Sequence, residues 1–485
     1  MADTLPPSSG SAPKPLPPGH LSSQHALRRK DRIHHLRRSA RATTTQWRRT
    51  VIYWIGAVLI GVVAVLFARM GDAAADLRTR ILEWHPWAML FVAPAGLAFI
   101  TWMTRTLFKG AQGSGIPQTI ATLHIENYTM VDRVLALKIS VGKILLTCLG
   151  LLCGASIGRE GPSVQVGASI MHAFSRLLGQ SNIAAKRSMI LAGGAAGMAA
   201  AFNTPLAGIV FAIEELSHSF EQRTSGRTLT VVVVSGVTAI ALLGNYTYFG
   251  HADVDIPVGT AWIAVLTCGI LGGLAGGTFA ALVIKASRGL PGPVGRFAGR
   301  RPIAFAAACG LVLAIIGLIS KGTTYGTGYA QARAIFSGTE HYPASFFVLK
   351  YLAMLVSYCS GIPGGMFAPS LAIGAAIGGW VEQFLPHTTP GAVVLLGTVA
   401  YFCGVAQSPL TATIIVMEMC DNQQVTLALL ATSFLAFGVS RMVCPRPLYT
   451  ALADRFMEAN EHALRPPRPE ASESNTESTD NKKAL

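Results

Sequence analysis

One charged pair stands out in the sequence because its surroundings are apolar and rich in glycine. Arg159 and Glu160 lie in SIGREGPSVQVG, residues 156–167, between glycines and a proline. Proline suits the first turn of a helix, where its missing N–H is not needed. A helix start also leaves backbone N–H groups free and carries about half a positive charge. The stretch therefore predicts a helix start that can bind an anion, with a carboxylate beside it.

The elements that must position this pair are membrane helices. The chain has 485 residues, of which 51% are hydrophobic and 13% are charged, and its mean hydropathy is +0.45. Ordinary soluble domains carry about 25% charged residues. Several apolar runs reach the roughly 20 residues that cross a bilayer; the runs cover residues 51–68, 88–103, 139–153, 261–284, 303–319 and 425–439. We predict an all-α polytopic membrane protein.

The membrane region contains two similar halves. FNTPLAGIVFAIEEL (residues 202–216) returns as AQSPLTATIIVMEMC (406–420), and GPSVQVGASI (161–170) returns as APSLAIGAAI (368–377). GSGIPQT (113–119) returns more weakly as GTGYAQA (326–332). Duplicated halves with Gly- and Pro-interrupted segments are typical of transporters whose broken helices meet at a substrate site. The sequence leaves parallel and inverted halves as alternatives.

The acids differ between the two halves. Glu160 aligns with Phe367, so the second half has the helix start without the carboxylate. An ionised Glu160 would compete with a soluble anion for the same amides, so that anion and proton occupancy are linked there. Acids within membrane segments are functional candidates by default. We predict that Glu160 is a gate that an anion displaces and a proton holds open.

The adjacent acids Glu214 and Glu215 can be compared with the second half in the same way. Glu214 has a counterpart in Glu418, which predicts a structural role such as capping or pairing at a helix end. Glu215 is matched by Met419 and is therefore the candidate for a second proton site near a membrane face. A solvated acid at a helix end is the alternative.

Residues 1–50 hold ten Lys or Arg and two Asp, without the apolar stretch of a secretory signal. This charge predicts a cytoplasmic N-terminus and secondary contact with anionic lipid, and nucleic-acid binding is disfavoured. We predict a disordered cytoplasmic arm over 1–50, a first membrane repeat over 51–250, a second over 251–453, and a polar cytoplasmic tail over 454–485. The eight cysteines form no CxxC pair and are expected to be buried hydrophobes rather than metal ligands.

Three motifs stand in order along the chain: GSGIP (113–117), GREGP (158–162) and GGMFAP (364–369). Together they closely resemble the CLC family of chloride channels and chloride/proton antiporters, over roughly residues 52–453. The resemblance implies two inverted-topology repeats with tilted, broken and partial helices, and a homodimer with one ion pathway in each subunit. The absence of CBS domains indicates a bacterial form, which implies the inner (plasma) membrane of the cell.

The resemblance also implies site residues. The central chloride ligands would be the hydroxyls of Ser114 and Tyr449 and the backbone amides of Met366 and Phe367. An outer site would use the amides around Arg159, Glu160 and Gly161, with Glu160 as the external gate and proton site. Glu215 would be the internal proton-transfer residue, as in antiporter members. No cofactor is implied.

Two alternatives accompany this prediction. The favoured function is chloride/proton antiport, and a passive chloride channel would share every anion ligand and differ at Glu215. Gln118 stands where an acid is often found in the family, which affects helix capping or proton access. An intramembrane enzyme is disfavoured because the chain has no HExxH motif and no histidine cluster within an apolar segment.

Overall fold

The computed structural model describes residues 20–180, 182–217, 226–244, 261–385 and 391–464. The helices within these ranges are α1 His20–Trp84, α2 Met89–Thr106, α3 Ile116–His124, α4 Tyr128–Val134, α5 Leu137–Leu152, α6 Glu160–Leu177, α7 Ile183–Phe202, α8 Pro205–Phe211, α9 Gly226–Leu243, α10 Ala261–Ser287, α11 Gly292–Arg300, α12 Pro302–Ile319, α13 Tyr329–Phe336, α14 Ser345–Cys359, α15 Phe367–Glu382, α16 Ala392–Ala406, α17 Pro409–Cys420, α18 Thr426–Val443 and α19 Leu448–Leu464. No β-strand occurs among the described residues, which confirms the predicted all-α class.

Seven helical segments are long and apolar enough to cross a membrane, among the residues that the structure describes: Thr50–Trp84, Pro86–Thr106, Tyr128–Leu152, Gly226–Leu243, Trp262–Ser287, Pro302–Ile319 and Thr426–Val443. Six of them overlap the apolar runs found in the sequence, and the span over α9 is additional. The other helices are shorter, and several of them begin beside the Gly-rich motifs. This mixture of full spans and partial helices confirms the predicted polytopic membrane architecture.

Two cavities lie at opposite ends of α12. The Arg159 cavity, of about 540 Å³, is lined by residues that include Leu151, Arg159 and Lys321. The Arg105 cavity, of about 570 Å³, is lined by residues that include Arg105 and Pro302. Since α12 begins at Pro302 and ends two residues before Lys321, its 18 residues separate the cavities by about 27 Å.

Corresponding parts of the two halves face opposite cavities. The C-terminal end of α5 lines the Arg159 cavity through Leu151, whereas Cys359, at the end of its counterpart α14, lines the Arg105 cavity. The loops that carry the GSGIP repeat behave likewise, because Gly110 and Gln112, just before GSGIP, line the Arg105 cavity and residues 325–331 line the Arg159 cavity. Each duplicated element therefore runs in the opposite direction to its copy, which establishes inverted repeats.

Each half also supports a partial helix of the other. The carboxylate of Glu418 accepts from the backbone N–H groups of Leu206 (3.1 Å) and Ala207 (2.7 Å), at the start of α8. The carboxylate of Glu214 accepts from Leu410 (3.1 Å) and Thr411 (2.6 Å), at the start of α17. Free N–H groups at a helix start favour such negative partners. The predicted capping role of these two acids is confirmed.

Residues 53–485 form one compact unit that contains every candidate site residue, and residues 1–52 form another. Helix begins at His20, inside the arm that we expected to be disordered, because residues 20–50 contain no Pro or Gly to interrupt it. At the other end α19 continues to Leu464, eleven residues into the predicted tail. Residues 1–19 and 465–485, and the predicted repeat boundary at 250, lie outside the described residues, so the domain limits stay predictions.

Candidate functional site

The three Gly-rich motifs form one interlocked centre. Gly158 and Gly365 exchange two backbone hydrogen bonds, each 2.7 Å long. Gly113 donates to Ile362 O and accepts from the Gly364 N–H, both at 3.3 Å. These isolated bridges join loops from both halves of the chain. The starts of α3, α6 and α15 are therefore fixed around a single point.

The glycines are needed because the loops approach too closely for a side chain. A Cβ atom on Gly161 would lie 2.3 Å from the Ser114 Oγ atom. Gly115 has a φ of +105°, and its Cβ would lie 2.8 Å from the Gly161 carbonyl oxygen. Glycine alone adopts such a φ without strain. Ser114 and the start of α6 are thus in direct contact, as the chloride-site prediction requires.

Two buried hydroxyls at this centre have no hydrogen-bond partner among the described residues. The side chain of Ser114 is 2% exposed and that of Tyr449 is 0% exposed, and both oxygens are unpaired. The Tyr449 ring packs edge-on against the ring of Phe367, with centroids 5.6 Å apart. Phe367 is the first residue of α15 and Met366 its N-cap. Buried polar groups normally have partners, so these hydroxyls are free to bind an anion beside a helix start.

Glu160 is the first residue of α6 and is completely buried. Its Oε1 atom accepts a 2.9 Å hydrogen bond from the hydroxyl of Tyr329, the first residue of α13 in the other half. A Cβ on Gly158 would lie 2.2 Å from the other carboxylate oxygen and 3.3 Å from the Ala368 N atom. The carboxylate therefore occupies the space between the starts of α6 and α15, where an outer anion would bind.

The Arg159 cavity leads to this carboxylate. Arg159 and Tyr329 both line it, and they are the chain neighbour and the hydrogen-bond donor of Glu160. The Arg159 guanidinium donates to Ala68 O (3.0 Å) and to the exposed Asp72 carboxylate (2.9 Å) on α1. This side chain is thus held against α1, and the cavity ends beside Glu160.

Glu215 lies on the segment that follows α8. Its side chain is 2% exposed and accepts a hydrogen bond from the Ser408 hydroxyl. It sits in a π-helical turn, Ala212–Ser217, whereas the matching helix α17 stays α-helical over Pro409–Cys420. π-turns occur frequently at functional sites. Because Glu215 is buried, the alternative of a solvated acid at a helix end is excluded. The π-helical turn directs Glu214 to the start of α17, whereas Glu215 is buried.

Two buried lysines are not among the residues that the sequence predicted. Lys143 on α5 donates to Gly113 O at 3.1 Å, and Lys350 on α14 donates to Thr324 O (2.9 Å) and Gly326 O (2.7 Å). Both side chains are fully buried. The two lysines are 207 residues apart, the same offset as in the GPSVQVG repeat, and this match is the sequence signal from which they could have been predicted. Each lysine holds the Gly-rich loop of its own half.

The side-chain amide of Gln118 forms two hydrogen bonds in the loop before α3. Its Oε1 atom accepts from the Gly115 N–H at 2.9 Å, and its Nε2 atom donates to Gln112 O at 3.0 Å. A carboxylate could make the first bond and not the second. The side-chain amide therefore binds two backbone groups of the loop before α3, the N–H of Gly115 and the carbonyl of Gln112.

One further spacing resembles that of an enzyme. GASIG, residues 154–158, has the G-x-S-x-G spacing of serine hydrolases around Ser156. In those enzymes the serine follows a strand and bonds a histidine. Here it lies in the loop between α5 and α6, and its Oγ has no partner among the described residues. Among the described residues, no histidine forms a hydrogen bond with the Ser156 hydroxyl that could activate it as a nucleophile.

The chain has similar proteins among known sequences and structures. It is 30% identical to the H(+)/Cl(-) exchange transporter ClcA of Yersinia pestis over 397 residues, 78% of this chain and 80% of the relative. It is 28% identical to the ClcA of Salmonella paratyphi B over 452 residues, 89% of this chain and 93% of the relative.

Among solved structures, a slow cyanobacterial Cl⁻/H⁺ antiporter matches with a TM-score of 0.74 and 25% identity, over 85% of this chain and 99% of that one. A CLC-type fluoride/proton antiporter shares the fold, with a TM-score of 0.69 and 21% identity over 82% of this chain and 96% of its own. The family model for voltage gated chloride channels matches residues 95–441. With its motifs, inverted repeats and interlocked loops, the chain belongs to the voltage gated chloride channel (CLC) family.

Proposed function

We propose that this protein exchanges chloride for protons across a membrane, as a secondary active transporter. One observation carries the proposal. Two acids that have no counterpart in the other half, Glu160 and Glu215, are both buried near one unpaired hydroxyl, that of Tyr449. The Tyr449 hydroxyl lies within electrostatic range of both carboxylates. The ClcA relatives, named as H(+)/Cl(-) exchangers, support the same function.

In this proposal Glu160 is the gate. Chloride enters through the Arg159 cavity and competes with the carboxylate for the amides at the starts of α6 and α15. Protonation removes the negative charge, so the neutral acid leaves the site more readily and chloride occupies it. Ser114, Tyr449 and the amides of Met366 and Phe367 then bind the ion at the central site.

Glu215 takes the proton on the other side of the central site. It is buried beside Ser408, and its charge acts on Tyr449, as does that of Glu160. A passive channel would need the anion ligands without a second buried acid. The burial of Glu215 therefore favours exchange over passive conduction.

Orientation and assembly follow from the same features. The segments at the Arg105 cavity are rich in Lys and Arg, and the positive-inside rule supports a cytoplasmic location for that end. Both chain termini are then cytoplasmic, in the inner (plasma) membrane. The assembly that the family resemblance implies is a homodimer with one pathway per subunit.

The test uses purified protein in liposomes loaded with high chloride. There is no pH gradient, and potassium with valinomycin clamps the voltage at zero. Protons then start at equilibrium, so any net proton movement must be driven by chloride. We expect chloride to leave, protons to enter and the external pH to rise.

Three variants separate the roles. Glu160→Gln and Glu215→Val should each abolish proton entry while chloride efflux continues, and Glu340→Gln, which changes an exposed acid, should behave as the wild type. Chloride efflux without proton entry in the wild type would establish the passive channel instead. Proton entry that persists in Glu160→Gln would refute the gate.

A further inference from the structure

The Arg105 cavity, at the end of α12 opposite the Arg159 cavity, has the composition of an anion site. It is enclosed by the end of α2, the loop after α10, one side of α11, the start of α12 and the end of α14. Arg105 and Lys109 line it, together with Thr101, Gln112 and Ser360, and no Asp or Glu does. The Arg159 cavity, of similar volume, is lined by Asp72, Asp76 and Glu83 as well as by cations.

The positive charge extends around the cavity. Residues 105–112 and 285–301 contain no acid. They contain seven exposed cations: Arg105, Lys109, Lys285, Arg288, Arg296, Arg300 and Arg301. No ion pair joins Arg105 or Lys109 to any described residue. A cluster of this kind attracts an anionic partner, at about 1 kcal/mol per cation for a negatively charged membrane surface.

The helix beside the cavity has the features of a membrane-surface helix. None of the nine residues of α11 is buried. Val294 and Phe297, one turn apart, are 51% and 39% exposed, and the Phe297 ring contacts that of Phe305 on α12 with centroids 6.2 Å apart. Exposed apolar side chains interleaved with arginines are typical of helices that lie in the headgroup region. The cations and an apolar surface are therefore adjacent.

We infer that the Arg105 cavity binds the headgroup of an anionic phospholipid. The phosphate contacts Arg105 and Lys109, and the acyl chains lie along the exposed apolar face of α11 and the start of α12. A soluble phosphate would satisfy the cations and gain nothing from Phe297. The combination of charge and apolar surface therefore selects the lipid, and the site is independent of the proposed transport chemistry.

The experiment measures lipid binding by native mass spectrometry of the whole protein in a neutral detergent. Phosphatidylglycerol is titrated, and the apparent Kd of the first bound lipid is compared with that of phosphatidylcholine. The double variant Arg105→Gln/Lys109→Gln should bind phosphatidylglycerol about 30-fold more weakly than the wild type. Arg105→Lys/Lys109→Arg, which keeps both charges, should bind within about threefold of the wild type.

A matched control removes two exposed cations at the opposite end of the molecule, in Arg80→Gln/Lys321→Gln, and should leave the Kd unchanged. Equal weakening in the control would show a general charge effect and overturn the site. Displacement of the lipid by millimolar inorganic phosphate would assign the cavity to a soluble anion. An unchanged Kd in Arg105→Gln/Lys109→Gln, with retained chloride efflux as proof of folding, would refute the inference.

Discussion

The contact between Tyr329 and Glu160 gives the sharpest prediction. The tyrosine hydroxyl is the donor to a fully buried carboxylate, at 2.9 Å, and it comes from the opposite half of the molecule. Tyr329→Phe removes this single donor and keeps the ring. Because the bond forms with the carboxylate in its present position, its loss should weaken the closed gate and leave the chloride ligands intact.

The size of the effect follows from the type of bond. A hydrogen bond to a charged group contributes about 1.5–3 kcal/mol. At about 1.4 kcal/mol per factor of ten, the lower value already changes the gate equilibrium roughly tenfold. Since chloride competes with the carboxylate for the outer site, the apparent chloride Kd should fall by about the same factor. Isothermal titration calorimetry with the purified protein measures it.

A matched variant controls for the loss of a tyrosine hydroxyl. Tyr342 donates to Glu340 in the loop before α14, far along the chain from the gate, and Tyr342→Phe should leave the chloride Kd unchanged. Proton coupling should persist in Tyr329→Phe, because Glu160 is still present. A chloride Kd equal to that of the wild type would refute the idea that this hydroxyl holds the gate closed.

Three further outcomes are expected. Gly158→Ala places a Cβ 2.2 Å from the Glu160 carboxylate, inside the proposed outer site, and should exclude both the carboxylate and chloride from it, so that chloride binding weakens and proton coupling falls; unchanged binding in a folded variant contradicts this. Tyr449→Phe should weaken chloride binding about tenfold in calorimetry without lowering the unfolding temperature, because its hydroxyl has no described protein partner; an equal Kd would remove it from the ligand set. Glu418→Gln should destabilise the fold by about 1 kcal/mol, seen as a lower unfolding temperature with coupling retained; a loss of coupling at unchanged temperature would assign it to proton transfer.

The sequence predicted the features that repeat or that break a repeat. The matched motifs indicated two halves, and the unmatched Glu160 and Glu215 marked the acids that the structure buries. The capping role of Glu214 and Glu418 followed from their equivalence. These predictions depended on residue types at a fixed offset, which a single sequence displays directly.

Other features depend on direction or on contacts between the halves. Whether the repeats are parallel or inverted is set by the path of the chain through the membrane, which residue spacing does not record. The bond between Tyr329 and Glu160 joins residues 169 positions apart. The π-helical turn arises from local backbone geometry that no residue of AIEELS, residues 212–217, predicts. The helix from His20 is not evident from composition, because a high content of Lys and Arg is also typical of disordered arms.

The reciprocal caps have a consequence for the synthesis of the protein. The N–H groups at the start of α8 have their partner at Glu418, more than 200 residues later in the chain. Ribosomes add about 5–20 residues per second, so this partner is made roughly 10–40 s after α8. During that interval the first half has entered the bilayer with its partial helix uncapped. Maturation of the early half therefore waits for the late half, and a nascent chain arrested between them should be a preferred substrate for membrane quality-control proteases.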